Sequence, residues 1–312
     1  MRAFLFPGQG SQAVGMGVAL AEASRAARDM FGEVDEALGQ NLFRLMREGP
    51  DEELRLTENA QPAIMANSLA VFAALTREGG LDLAKAAQFV AGHSLGEYSA
   101  LCAAGSFDLA TTARLLKLRG RAMQQAVPVG QGAMAALLGT DLPLAHRIAE
   151  AAAKGEICTV ANDNDPGQVV LSGHKGAIDR VLEIAKEMGA KRAVPLPVSA
   201  PFHCPLMKPA AEAMRDALGD VVVEAPAVPV FANVTAQPES DPDTIRNLLV
   251  EQVTAMVRWR ESIANMAEAG VEEFVELGGK VLGPMVKRIA PDAKVTSVVT
   301  IEDVEALARE IA

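Results

Sequence analysis

The sequence predicts an α/β protein built on a mainly parallel sheet, on three observations. Half of the residues are hydrophobic but only 4% are aromatic, a composition that suits close-packed helices on a sheet better than a sandwich of aromatic-rich strands. Short apolar runs alternate with longer stretches of helical period, the pattern of strands joined by helical crossovers. At 312 residues the chain is long for a single core, which predicts one large domain with an insertion or two unequal domains.

The elements follow in order. Residues 3–6, AFLF, make a short apolar strand that halts at Pro7 and the glycine-rich GQGSQ. A mostly helical stretch runs to about residue 78 and stops at Gly79 and Gly80. AAQFVAG then reads as a buried strand, SLGEYSALCAAG as a helix and DLATTARLLKLRGRAMQQAV as a longer amphipathic helix. At residues 128–132, PVGQG, the rhythm changes. A strand at 133–138, a helix at 142–153, strands near 157–161 and 168–172, a helix at 176–188 and a strand at 192–197 give the order β-α-β-β-α-β. That order is the ferredoxin-like unit, with two helices on one face of a four-stranded antiparallel sheet. Residues 128–197 are therefore expected to form an inserted small domain, and 1–127 with 198–312 the large one. After LPVSAPFHCP come a helix at 205–218, a strand near 228–232, helices across 242–269, the strand EEFVELG, a helix and the strand KVTSVVT. The cleft between the domains is the place to look for a site.

Charge and cysteine content narrow the function. A net charge of -11 repels phosphates at long range, so no nucleic acid or anionic membrane is expected as a main partner, and an anionic partner must dock on a local basic patch. Cys102, Cys158 and Cys204 are odd in number, far apart and without C-x-x-C spacing, which supports neither a disulfide framework nor a zinc site. The opening MRAFLFPGQG is too short for a signal-peptide core, and no apolar run is long enough to span a bilayer. A cytoplasmic chain is the expectation, and a monomer.

Between strand and helix lies Gly92, His93, Ser94, Leu95, Gly96, a G-x-S-x-G elbow. A serine is a poor nucleophile unless a base takes its proton and the backbone presents its oxygen; the elbow does the second, and side chains at either flanking position would crowd the turn. The following helix aims its N–H groups at negative charge developing near Ser94. The alternative is a helix start at which Ser94 merely caps. Of four histidines, His93 adjoins the serine and should point away from it, while His146 and His174 fall in the insertion. His203, in a loop just past the strand leaving the insertion, can reach a serine at another strand end and is the expected base. An oxyanion hole would take the amide of Leu95 and that of Gln9, where glycines let backbone approach substrate. Gly8 to Ala13 also satisfies the G-x-G-x-x-G/A dinucleotide fingerprint, but residues 18–47, with Glu33 and Asp35, read as helix where a second strand is required. No Asp or Glu announces itself as the third partner, and a neutral carbonyl could orient the imidazole instead.

These residues resemble the malonyl-CoA:acyl-carrier-protein transacylases, free-standing acyltransferases of fatty-acid synthesis. The resemblance runs nearly end to end, through FPGQGSQ at 6–12, GHSLGEYSAL at 92–101, RGRAM at 119–123, NDNDPGQVVLSG at 162–173, AKRAVPLPVSAPFHCPLMKPA at 190–210 and GGKVL at 278–282. It implies an α/β-hydrolase-like large domain carrying the ferredoxin-like small one. It implies Ser94 as nucleophile, His203 as base, the Gln9 and Leu95 amides as oxyanion donors, and Gln252 as the residue whose carbonyl orients His203. Position alone would make Gln252 a solvated helix-end glutamine. Arg119 is implied to bind the free carboxylate of the substrate, as a planar guanidinium can do bidentately, although helical period alone would leave it in solvent. Met123, at the end of the same run, is expected as a further substrate contact, and Phe202 would crowd a branch at C2, which implies a preference for malonyl over methylmalonyl. Where the family often shows G-P-G-K, this chain has Gly278, Gly279 and Lys280.

The implied activity is transfer of malonyl from malonyl-CoA to acyl carrier protein through a malonyl-serine, with no metal or bound redox cofactor. Carrier protein is acidic, so Lys191 and Arg192, or Lys287 and Arg288, are candidate docking residues. A serine thioesterase or esterase, malonyl loading for a polyketide pathway, and a non-catalytic carrier-binding module are the alternatives.

Overall fold

A computed structural model describes residues 1–311. Its ten strands are β1 (Arg2–Phe6), β2 (Phe89–Gly92), β3 (Gly132–Leu138), β4 (Cys158–Asp165), β5 (Gln168–His174), β6 (Arg192–Pro195), β7 (Val230–Phe231), β8 (Pro238–Glu239), β9 (Glu273–Leu277) and β10 (Lys294–Val298). They form a six-stranded sheet in the order β10-β9-β1-β2-β7-β8 and a four-stranded sheet in the order β4-β5-β3-β6. In the large sheet β10, β9, β1, β2 and β7 run parallel, and β8 pairs antiparallel at the edge.

Parallel neighbours need crossovers, and crossover helices bury both sheet faces, so the strands are apolar on both sides. β1 shows this: Phe4 and Phe6 enter one core with Val90, Val275 and Leu277, while Ala3 and Leu5 enter another with Phe89, Ala91 and Phe274. On the first face the helix Thr57–Ala73 lies against the helix Leu109–Ala126. They approach so closely that a Cβ on Gly120 would fall 2.5 Å from Thr57 O, which brings Arg119 beside Gln61.

The small sheet is antiparallel throughout. One face, with Ala135, Leu137, Val160 and Leu171, packs on the helices Leu142–Ala153 and Lys175–Ile184. From the other face Met134, Ala136, Ala161 and Val170 join the large core. The interface between the sheets is therefore part apolar.

Several boundaries differ from the sequence reading. The helical stretch before Gly79 ends in a wider π-type turn, Ala74–Glu78. β4 runs to Asp165 because its polar end is buried against arginines, and β6 ends at Pro195, with Leu196 N still donating to Met134 O just beyond it. The edge strand β8 and the last helix, Ile301–Ile311, carry no expectation from the sequence. No described helix is long and apolar enough to cross a membrane.

Candidate active site

β2 ends at Gly92, and only His93 and Ser94 separate it from the helix Leu95–Ala103. Between them Ser94 sits at φ 55° and ψ −111°, a sparsely populated conformation that persists only where the surroundings impose it. A Cβ on Gly92 would fall 1.9 Å from Gly96 C, and one on Gly96 would fall 2.2 Å from Phe6 O. Both flanking glycines are thus required by close approach. The Ser94 hydroxyl does not cap the helix. Asn233, just past β7, staples the turn: its Oδ1 accepts from Ser94 N at 2.8 Å and its Nδ2 donates to Gly92 O at 2.7 Å.

His203 lies at φ 55° and is 4% exposed. Its Nε2 is 2.7 Å from Ser94 Oγ, and its Nδ1 is 2.9 Å from the main-chain oxygen of Gln252. A carbonyl can only accept, so Nδ1 carries the proton and Nε2 is left to accept from the serine hydroxyl. Burial, and then the nearby Arg119 guanidinium, push the His203 pKa down to about 3, which keeps the imidazole neutral. The orienting carbonyl closes the helix Pro242–Gln252, where carbonyls have no partner within the helix.

Gln252 is fully buried rather than solvated. Its Oε1 accepts from Arg119 Nη2 at 2.8 Å, and its Nε2 donates to Glu97 Oε2 at 2.8 Å and Ser94 O at 3.0 Å. Arg119 is 1% exposed, against the expectation from helical period. Its Nη1 donates to Gln61 Oε1 at 2.7 Å and its Nη2 also to Ser94 Oγ at 3.2 Å. Among the described residues no carboxylate pairs with it, and its Nε has no hydrogen-bond partner. The Tyr98 ring lies 5.7 Å away, and burial lowers the pKa of the guanidinium.

These groups open on a cavity of about 250 Å³ whose wall includes Gln9, Leu95, Met123, Met134, Phe202 and His203. The amides of Gln9 and Leu95 donate to no protein group among the described residues. Gly8 brings Gln9 to the elbow, since a Cβ there would fall 2.6 Å from His93 O.

The other sequence candidates do not join this hydrogen-bonded group, although His93 also lines the cavity. His93 Nε2 is 2.8 Å from Asn164 Oδ1, and His174 Nδ1 accepts from Ile157 N at 2.9 Å. His146 is exposed on the helix Leu142–Ala153. Glu33 and Asp35 lie on the helix Arg25–Leu38, so the dinucleotide fingerprint has no second strand. Lys191 and Arg192 are exposed where β6 starts, and β6 leads to Leu196 and Val198 at the cavity. Lys287 donates to Ala293 O at 2.6 Å, and Arg288 pairs with the buried Asp165 at 2.7 Å, so both charges are engaged within the chain. Sequence reasoning missed Gln61, Asn233 and Glu97. Only Glu97 had a signal, its place inside GHSLGEYSAL.

Residues 3–282 match the acyl transferase domain family. The chain is 45% identical over 288 residues to a malonyl CoA-acyl carrier protein transacylase of Escherichia coli K12, covering 92% of each, and 44% identical over 305 residues to that of Bacillus subtilis, covering 97% and 95%. An acyl-carrier-protein-S-malonyltransferase from Bartonella henselae superposes with a TM-score of 0.97 at 53% identity, covering 99% of each chain. A type II PKS acyl-carrier protein in complex with its malonyl-transacylase gives a TM-score of 0.95 at 40% identity, again over 99% of each.

Proposed function

The chain belongs to the acyl transferase family, and from that premise we propose how its site carries malonyl from malonyl-CoA to acyl carrier protein in fatty-acid synthesis. The observation that carries the reading is the Arg119 guanidinium: buried, without a carboxylate partner, and 3.2 Å from the Ser94 hydroxyl. A buried cation beside a nucleophile is costly unless something anionic joins it, and the free carboxylate of a malonyl group is such a partner. A hydrolase of neutral esters has no use for it.

In the first step His203 Nε2 takes the Ser94 proton as Oγ attacks the thioester carbon. The amides of Gln9 and Leu95 hold the resulting oxyanion, donors of a kind typically worth about 10²–10³ in rate each. The tetrahedral centre collapses, the coenzyme A sulfur leaves with the proton from His203, and malonyl-serine remains. In the second step the phosphopantetheine thiol of the carrier gives its proton to His203 and attacks the ester; Ser94 leaves and recovers that proton. The Gln252 carbonyl holds the imidazole through both. Phe202, 7% exposed, narrows the space at C2. Every role is filled by a side chain or amide of the chain, so the exchange is read as needing no resident cofactor. Three unpaired cysteines suit a reducing compartment, and the cytoplasm is the proposed place of work. Lys191 and Arg192 are the proposed docking charges for carrier protein.

Intact-protein mass after brief mixing with malonyl-CoA, methylmalonyl-CoA and acetyl-CoA tests this. Malonyl should appear on the chain, and none on Ser94→Ala. Arg119→Ala should lower malonyl loading by about 10²-fold, the loss of a charged hydrogen-bonded pair, and lower acetyl loading far less. Equal losses would remove the carboxylate clamp.

A further inference from the structure

Glu97 is 2% exposed, and the exchange described above gives it no task. Its Oε2 accepts from Gln252 Nε2 at 2.8 Å and from the main-chain N of Asn233 at 3.0 Å. These two partners divide the site between them. Asn233 staples the elbow through Ser94 N and Gly92 O, and Gln252 holds His203 with its carbonyl and Arg119 with its side chain. We propose that Glu97 is a positioning residue that locks the Gln252 amide in one orientation and so sets Arg119 to receive a carboxylated acyl group.

The lock follows from the inventory of donors and acceptors. Oε2 of Glu97 already accepts from Asn233 N and so faces Gln252 as an acceptor whether or not Oε1 carries a proton; the Gln252 NH₂ must face Glu97, and the carbonyl end is left facing Arg119 Nη2. Turned about, the amide would set NH₂ against N–H, donor against donor, and the guanidinium would shift. Ser94 O, 3.0 Å from the same Nε2, supports the same orientation. Burial pushes the Glu97 pKa up to about 7, against the hydrogen bonds from Asn233 and Gln252 and the more distant Arg119 charge, with which Glu97 does not pair.

The inference rests on the malonyl-loading reading, and the test separates the two. Glu97→Gln keeps the shape, removes the charge and gives the position a donor. Its kcat/KM for malonyl-CoA should fall about tenfold, as for a weakened hydrogen bond to a charged group, mainly through KM, with acetyl-CoA loading changed much less. Gln252→Leu keeps the main-chain carbonyl for His203 and should move the malonyl-to-acetyl ratio the same way. Adding Glu97→Gln to it should move the ratio no further. An unchanged ratio in Glu97→Gln, or additive effects in the double variant, overturns the lock. If Glu97→Gln fails to fold, an unchanged ratio in Gln252→Leu overturns it alone. Failure of wild type to take malonyl on Ser94, or equal malonyl and acetyl losses in Arg119→Ala, would instead strike the parent reading.

Discussion

The proposed base, His203, stays uncharged well below the usual histidine range, because its ring is sealed from water and a guanidinium stands nearby. A lowered pKa leaves the accepting form populated as pH falls, so activity should outlast the ordinary imidazole titration near 6.5. Acetyl loading reports this most cleanly, since it makes no use of the carboxylate clamp. Its rate, followed by quenched mass spectrometry, should hold through pH 5, with the acid limb lower still; a limb centred near 6.5 would contradict the sealed site. At this scale the elbow around Ser94, the proposed nucleophile, was legible, because it is a contiguous pattern. The burial of Arg119 and Gln252 was not. Helical period treats a charged or amide side chain as solvent-facing, and the contacts that bury these two join positions 58, 133 and 155 residues apart.

The strands and helices themselves were legible because periodicity is local. β1, β2 and the helix Leu109–Ala126 fall where alternation and 3.6-residue spacing put them. Misjudged ends trace to features that pattern ignores: the wide turn at Ala74–Glu78, and a strand end whose acidic residues are paired across the fold. The helix that bears Arg119 starts at Asp108, whose Oδ1 accepts from Thr111 N at 2.6 Å. Asp108→Ala should cost about 1 kcal/mol of stability, the usual worth of an N-cap, seen as a lower urea midpoint. The malonyl-to-acetyl loading ratio should not change, because Arg119 lies about three turns on and is fixed by Gln61 and Gln252. A changed ratio would mean that the helix start, not those side chains, sets the guanidinium.

Between the two sheets, Asp163 pairs with Arg260 at 2.8 Å and Asp165 with Arg288 at 2.7 Å, both aspartates buried. Alongside them Val257 N donates to Ala161 O and Asp163 N to Val257 O. The small sheet is thereby fastened to the large domain beside the cavity. Asp163→Ala should lower stability by about 1–3 kcal/mol, the loss of charged hydrogen bonds to a buried group, and should raise KM for malonyl-CoA because the cleft walls lose their fixed spacing. Thermal melting with steady-state kinetics reads both; a lower melting point with unaltered KM would confine these pairs to stability.

Arg119 lines the cavity beside the Ser94 hydroxyl. A short diacid unit esterified to Ser94 meets charge of the right sign there, whereas a long saturated chain would have to press hydrocarbon against a dehydrated cation. In the proposed reading, the side chain that receives the short diacid unit is also the one that disfavours a long saturated chain on Ser94.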